Sequence, residues 1–253
     1  MKTVKYLIFC FLCIAFVSCQ KSTGTIQKNG TLKITFQNKV KGSPMLLFTG
    51  GYTNSFGESY IITKFKYYVS HVSISGAGLT AKNDGYYLVD EGNASSLSFN
   101  LEAPESTYST ISFLLGVDST RNVSGAQTGA LDPLNDMFWT WNSGYIMAKM
   151  EGTSPQSTVV NKKVEYHIGG FAGANSVLKT PSLTIPVPAM QNIEIREGKV
   201  TEVFIDVDFD KWWQGAFDLK IASNPAVTHP GATAKNIADN YINMFKVANV
   251  INY

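Results

Sequence analysis

Little in this sequence can do covalent chemistry. Its three cysteines, Cys10, Cys13 and Cys19, all fall within the first nineteen residues, so the rest of the chain has no thiol for a disulfide, a zinc-thiolate site or a nucleophile. Histidine is as scarce. His71, His167 and His229 lie far apart, and no H-E-x-x-H, G-x-S-x-G or P-loop pattern sets reactive side chains in register. The formal net charge is only +2, with no basic run, which argues against a surface that follows nucleic acid. Asp118, Asp132, Asp136, Glu151 and Glu165 show no spacing that would fix two carboxyls at glycosidase separation. Asp206-x-Asp208-x-Asp210 opens like a calcium loop, but Lys211 stands where that loop needs Gly and Phe217 where it needs Glu. Alternation with Val207 and Phe209 instead puts these carboxylates on the solvent face of a strand. The chain is therefore read as a non-enzyme.

What is present begins with a leader. Lys2 and Lys5, the apolar run 6–17 and then Ser18-Cys19 follow the charged, apolar, small-residue order of a secretory signal. The run is too short to span a bilayer as a helix. Phe16-Val17-Ser18-Cys19 resembles the bacterial lipobox, which implies cleavage before Cys19 and acylation of its thiol. On this reading residues 1–18 are a signal peptide, and residues 19–30 are the lipidated cysteine and a flexible Ser/Thr/Gly/Lys tether. Membrane lipid then holds the protein in the bacterial cell envelope through Cys19, at about 0.8 kcal/mol per buried CH₂. The outer membrane is the expected location, on its periplasmic or its surface face. Losing Lys2 and Lys5 leaves 19 basic residues against 19 acidic ones.

Beyond the tether the dominant signal is period-two alternation: Leu32, Ile34, Phe36; Tyr68, Val72, Ile74; Ile111, Phe113, Leu115, Val117; and Val203, Ile205, Val207, Phe209. Turns such as Gly76-Ala77-Gly78 and Asn83-Asp84-Gly85 separate these runs. Such short strands predict an all-β fold: a single antiparallel β-sandwich over residues 31–253, with long loops (39–59 above all) and a short C-terminal helix. That helix follows from the stripe Ala234, Ile237, Ala238, Tyr241, Ile242, Phe245. Asp132-Pro133-Leu134-Asn135 predicts a further single turn.

The most unusual segment is 136–145, DMFWTWNSGY. In an extended chain Met137, Trp139 and Trp141 share one face, which suits an aromatic sandwich core as well as a binding strip. His167 is out of phase with Val164, Tyr166 and Ile168, so its imidazole faces away from whatever those three bury. His71 lies in a strand with Tyr67 and Val69 on its face, and His229 precedes Pro230 near the C-terminal helix. Met137, Met147 and Met150 are thioether donors or core filler.

The segments FKYYVSHV (65–72), LGVD (115–118) with Asn122, GALDP (129–133), MFWTWNSGY (137–145), YHIGG (166–170) and IADN (237–240) with Met244-Phe245 together resemble the MbnP-like copper-binding proteins. These are envelope proteins related to those encoded with methanobactin genes and to copper-repressible surface proteins. The resemblance implies that Trp139 matches a tryptophan oxidised to kynurenine by a di-haem partner of the MauG/cytochrome c peroxidase type. It implies copper bound beside that residue with histidine ligands, His167 among them. Some relatives carry His two residues after the modified tryptophan, where this chain has Trp141. Then His71 or His229 substitutes from another strand or loop, or copper binds weakly, or this branch has lost it. The expectation is a lipoprotein that captures or stores copper, with Trp139, His167, His71 and His229 as candidate metal-site residues. The alternatives are a surface module binding a glycan or peptide on a platform of Trp139, Trp141, Trp212 and Trp213, and a structural envelope protein.

Overall fold

The computed structural model of the chain describes residues 27–141 and 144–253. The expected signal peptide, Cys19 and most of the expected tether lie outside these residues. The longer strands are β1 (Asn29–Val40), β2 (Ser59–Gly76), β3 (Leu79–Asp90), β4 (Ser98–Pro104), β5 (Thr110–Leu115), β6 (Gly144–Thr153), β7 (Lys163–Gly169), β8 (Val200–Asp208) and β9 (Phe245–Asn252). They are joined by a single helical turn, α1 (Ser119–Asn122), and a helix, α2 (Ala232–Tyr241).

The strands form two facing sheets, the β-sandwich that alternation predicts. One sheet runs β9-β8-β1-β4. In the other, β2 is flanked by β3 along one edge; its first half pairs with β6 and then β7, and its second half with β5. Between the sheets sits an aromatic core, with Phe36 5.9 Å from each of Tyr67, Phe99 and Phe113. Fully burying such a ring contributes about 1.5–3 kcal/mol. The antiparallel expectation fails at two pairs: a short strand at Ala226–Val227 runs parallel to β7, and, over a much longer stretch, β1 and β8 are parallel, in register from Thr31 opposite Val200 to Lys39 opposite Asp208. A hairpin cannot make that pairing, so strands distant in sequence supply it.

Three local readings are corrected. The sheet begins at Asn29, inside the expected tether, and Gly30 is a strand residue where a Cβ would collide with the Arg196 carbonyl. The apolar stripe of the C-terminal helix breaks early: Ala234, Ile237, Ala238 and Tyr241 are buried in α2, but residues 242–244 form a tight turn and Phe245 opens β9. There it packs edge-on against Phe113 at 5.0 Å, where an extended chain can reach it. Asp210 does not share a strand face with Asp206 and Asp208. It lies in the turn beyond β8, where its amide donates to Asp208 at 3.2 Å, while Asp206 pairs with Lys39 at 2.6 Å.

The largest change of phase is in β2. Phe65, Tyr67 and Val69 are buried, and then Val72 and Ile74. The switch falls at a bulge between Ser70 and Val72, with His71 at φ +48°. A bulge inserts one unpaired residue, so His71 does not share the face of Tyr67 and Val69 and its ring stands half-exposed.

The outer face of the second sheet is covered by the segment between β5 and β6. Tyr68 donates to the Ala130 carbonyl at 3.0 Å, and Tyr145 to that of Leu131 at 2.7 Å. The Asn122 side chain accepts from the Tyr145 amide at 2.9 Å. Asp132 caps the expected turn at Pro133–Asn135.

Candidate functional site

The site starts where that cover ends. Phe138 and Trp139 pair with Tyr145 and Gly144, making a small hairpin at the mouth of β6. Trp139 is 5% exposed, whereas Trp141, nearer the hairpin tip, is 58% exposed. Their rings are 5.5 Å apart. The Trp139 indole lies directly on the backbone of Gly169: a Cβ there would stand 2.5 Å from Cη2 and 2.6 Å from Cζ3 of the ring. Real Cβ contacts do not come so close, so Gly169 is the floor of the indole's cradle and any side chain would lift the ring.

Gly169 and His167 share the outward face of β7, because Val164, Tyr166 and Ile168 fill the inward one. Nε2 of His167 lies 2.9 Å from Oε1 of Glu151. Glu151 is also 3.2 Å from Lys64 and 3.7 Å from Lys149. Lys149 is 2% exposed and paired with Asp136 at 3.0 Å. The His167 hydrogen bond, against the opposing pull of burial and with help from Lys64 and Lys149, holds the Glu151 carboxyl at about 2. An ionised Glu151 can only accept, so Nε2 is the donor and a neutral imidazole keeps its lone pair on Nδ1. A carboxylate gripping one ring nitrogen, with no partner on the other among the described residues, is the arrangement that orients a metal-binding histidine.

His229 approaches from the other side. The segment following Ala226–Val227, a short strand parallel to β7, passes Gly170, where a Cβ would meet Pro230 at 3.2 Å. The His229 ring is 4.7 Å from that of Trp141, with Nδ1 3.2 Å from the Thr228 hydroxyl. The structure thus gathers Trp139, Trp141 and His229 around the Gly169-Gly170 end of β7, with His167 two residues along the same face.

His71 is elsewhere. At the β2 bulge its Nδ1 is 3.0 Å from Asp84 and its Nε2 3.1 Å from Asp118, whose carboxylate also accepts from Tyr86. Burial works against a charged ring here, but the bonds to Asp84 and Asp118 outweigh it and raise the pKa. Burial likewise pushes Asp118 up, yet hydrogen bonds from Tyr86, His71 and the amides of Arg121 and Thr120 hold it at about 2. With a carboxylate on each ring nitrogen, His71 has no lone pair to offer a metal.

Met137, Met147 and Met150 are fully buried, and the Met147 sulfur accepts from the Val117 amide at 3.2 Å. They serve as packing. Trp212 and Trp213 are core residues too, with their indole N–H groups on the Met244 sulfur (3.3 Å) and the Tyr60 hydroxyl (3.1 Å). Three of the four tryptophans proposed for a platform are therefore buried. Among the described residues no three side chains drawn from His, Cys, Asp and Glu converge as a metal cage. The nitrogen donors on this face are imidazoles, His167 and His229, a ligand type that suits copper or zinc better than calcium or magnesium. Sequence reasoning weighed Glu151 only as a glycosidase carboxylate, not as the partner of His167, and missed Lys149 and the cradle at Gly169. Their partners are set by the pairing of β6 with β7, and only the Gly169-Gly170 doublet signalled a close approach.

A family model described as MbnP matches residues 29–230. Among solved structures, MbnP from Methylosinus trichosporium superposes with a TM-score of 0.52 at 13% identity, over 89% of this chain and 99% of that one; at that identity the likeness is one of fold. No curated protein matches in sequence.

Proposed function

The chain belongs to the MbnP family, and from that premise we propose that it captures or stores copper in the cell envelope, anchored to membrane lipid through Cys19 and without catalytic activity of its own. The observation that carries the reading is the indole of Trp139 seated on Gly169, on the same strand face as a His167 whose Nε2 is gripped by Glu151. His167 and His229 are the imidazole donors of this site. His71, committed to two carboxylates, is not one. Imidazole nitrogen suits copper, and a carboxylate behind the ring raises its basicity. Trp139 is the residue that a di-haem partner of the MauG type would oxidise to kynurenine, whose aryl amine would add a donor next to the imidazoles. The burial of Trp139, Trp212 and Trp213 counts against the aromatic platform.

The test is a competitive Cu(I) titration of the protein purified from its native envelope, so that any change to Trp139 is retained. Tight binding of one copper per chain is expected. Failure to compete with a weak chelator would remove copper as the ligand.

A further inference from the structure

Trp139 is closed to any large oxidant, since only 5% of it is exposed and its ring lies on Gly169. Trp141 is open to solvent and its ring is 5.5 Å from that of Trp139, a separation typical of aromatic rings in contact. Trp212 and Trp213 are as buried as Trp139, but the rings packed against them are Phe65, Tyr60, Tyr166, Phe209 and Tyr241. All five of those residues are buried.

We propose that Trp141 is the surface entry through which Trp139 is oxidised, a relay residue that passes single electrons outward from the buried indole. An oxidant docked on the surface, such as a high-valent haem, takes one electron from Trp141 and is reduced by one equivalent. The Trp141 radical cation takes one electron from Trp139 and is restored. The Trp139 radical cation then releases its indole proton to solvent and is trapped as the neutral radical. This deepens the reading of Trp139 as a residue that is modified and rests on it. It also gives a use to the aromatic side chain at the position where some relatives carry histidine.

The test needs neither copper nor a haem enzyme. The intact protein is irradiated in air with tris(bipyridine)ruthenium(II) and chloropentaamminecobalt(III), which together generate the bulky one-electron oxidant Ru(III); dioxygen traps the indolyl radical, and peptide mass spectrometry reads the oxygenated products. Wild type should be modified at Trp139, with Trp212 and Trp213 spared. Trp141→Phe keeps a covering ring but cannot readily be oxidised, and should lower the yield at Trp139 at least fivefold. Trp141→Tyr, whose ring can be oxidised, should restore at least half of it, which separates loss of the relay from loss of the fold. An unmodified Trp139 in wild type, or equal or greater modification in Trp141→Phe, overturns the relay. Either result leaves the copper titration to be judged on its own terms.

Discussion

Two pairs of tryptophans, close in sequence within each pair, have opposite fates in this molecule. Trp212 and Trp213 sit in the turn beyond β8, fully buried, each with its indole N–H on a specific acceptor. Trp139 and Trp141 sit on a hairpin at the sheet's outer face, one buried on bare backbone and the other in solvent. The first pair completes a core. The second joins the surface to the Gly169-Gly170 end of β7, where the His229 ring lies 4.7 Å from that of Trp141. The sorting is done by the packing partner: the core pair meets rings from β2, β7 and α2, and the hairpin pair meets a glycine and a histidine.

The contrast can be broken in several ways. Trp213→Ala should cost about 3–5 kcal/mol in chemical denaturation, as large-to-small changes in a packed core do, whereas Trp141→Ala should stay within about 0.5 kcal/mol. A comparable loss at Trp141 would end the distinction. Gly169→Ala should cost about 1–3 kcal/mol through overpacking and red-shift the Trp139 fluorescence as the ring is lifted toward water; an unchanged spectrum would mean that the cradle is soft. His167→Ala should weaken Cu(I) binding at least tenfold, about 1.4 kcal/mol, while His71→Asn leaves it unchanged. Equal losses at the two histidines would return His71 to the site.

The smallest expected effect is a pH dependence. Because the folded pKa of His71 is raised above 6.5, its proton favours the folded state. That contribution is complete below about pH 6.5 and is lost as pH rises through the folded pKa. Wild type should therefore lose stability relative to His71→Asn as the pH is taken upward from 6.5, with thermal unfolding as the readout. Asn is the chosen replacement because it tolerates the positive φ. Parallel curves would show that the two carboxylates do not hold the proton.

Much of this was legible in the chain. Alternation located β1, β5 and β8, and it placed His167 opposite in phase to Val164, Tyr166 and Ile168, which are buried. Asp132-Pro133 announced its turn. What stayed hidden depends on pairing between distant strands. The bulge at His71 shifts the phase by one residue, and nothing in the local sequence marks it. Glu151 meets His167 only because Lys149 is opposite His167 in the register. The approach of His229 is set by a short parallel pairing of Tyr166 with Val227. Gly30 looks like linker composition until the Arg196 turn closes on it.

The parallel seam between β1 and β8 also governs assembly. The first strand of the domain to be synthesised is an inner strand of its sheet, and it waits for Val200–Asp208 before its second edge is bonded. Loop-closure entropy must be met before such a pairing returns anything. A chain carried across a membrane from its N-terminus would thus pass most of its length through before the sandwich could close. Closure of the sandwich before Val200–Asp208 has been made is discouraged by that topology.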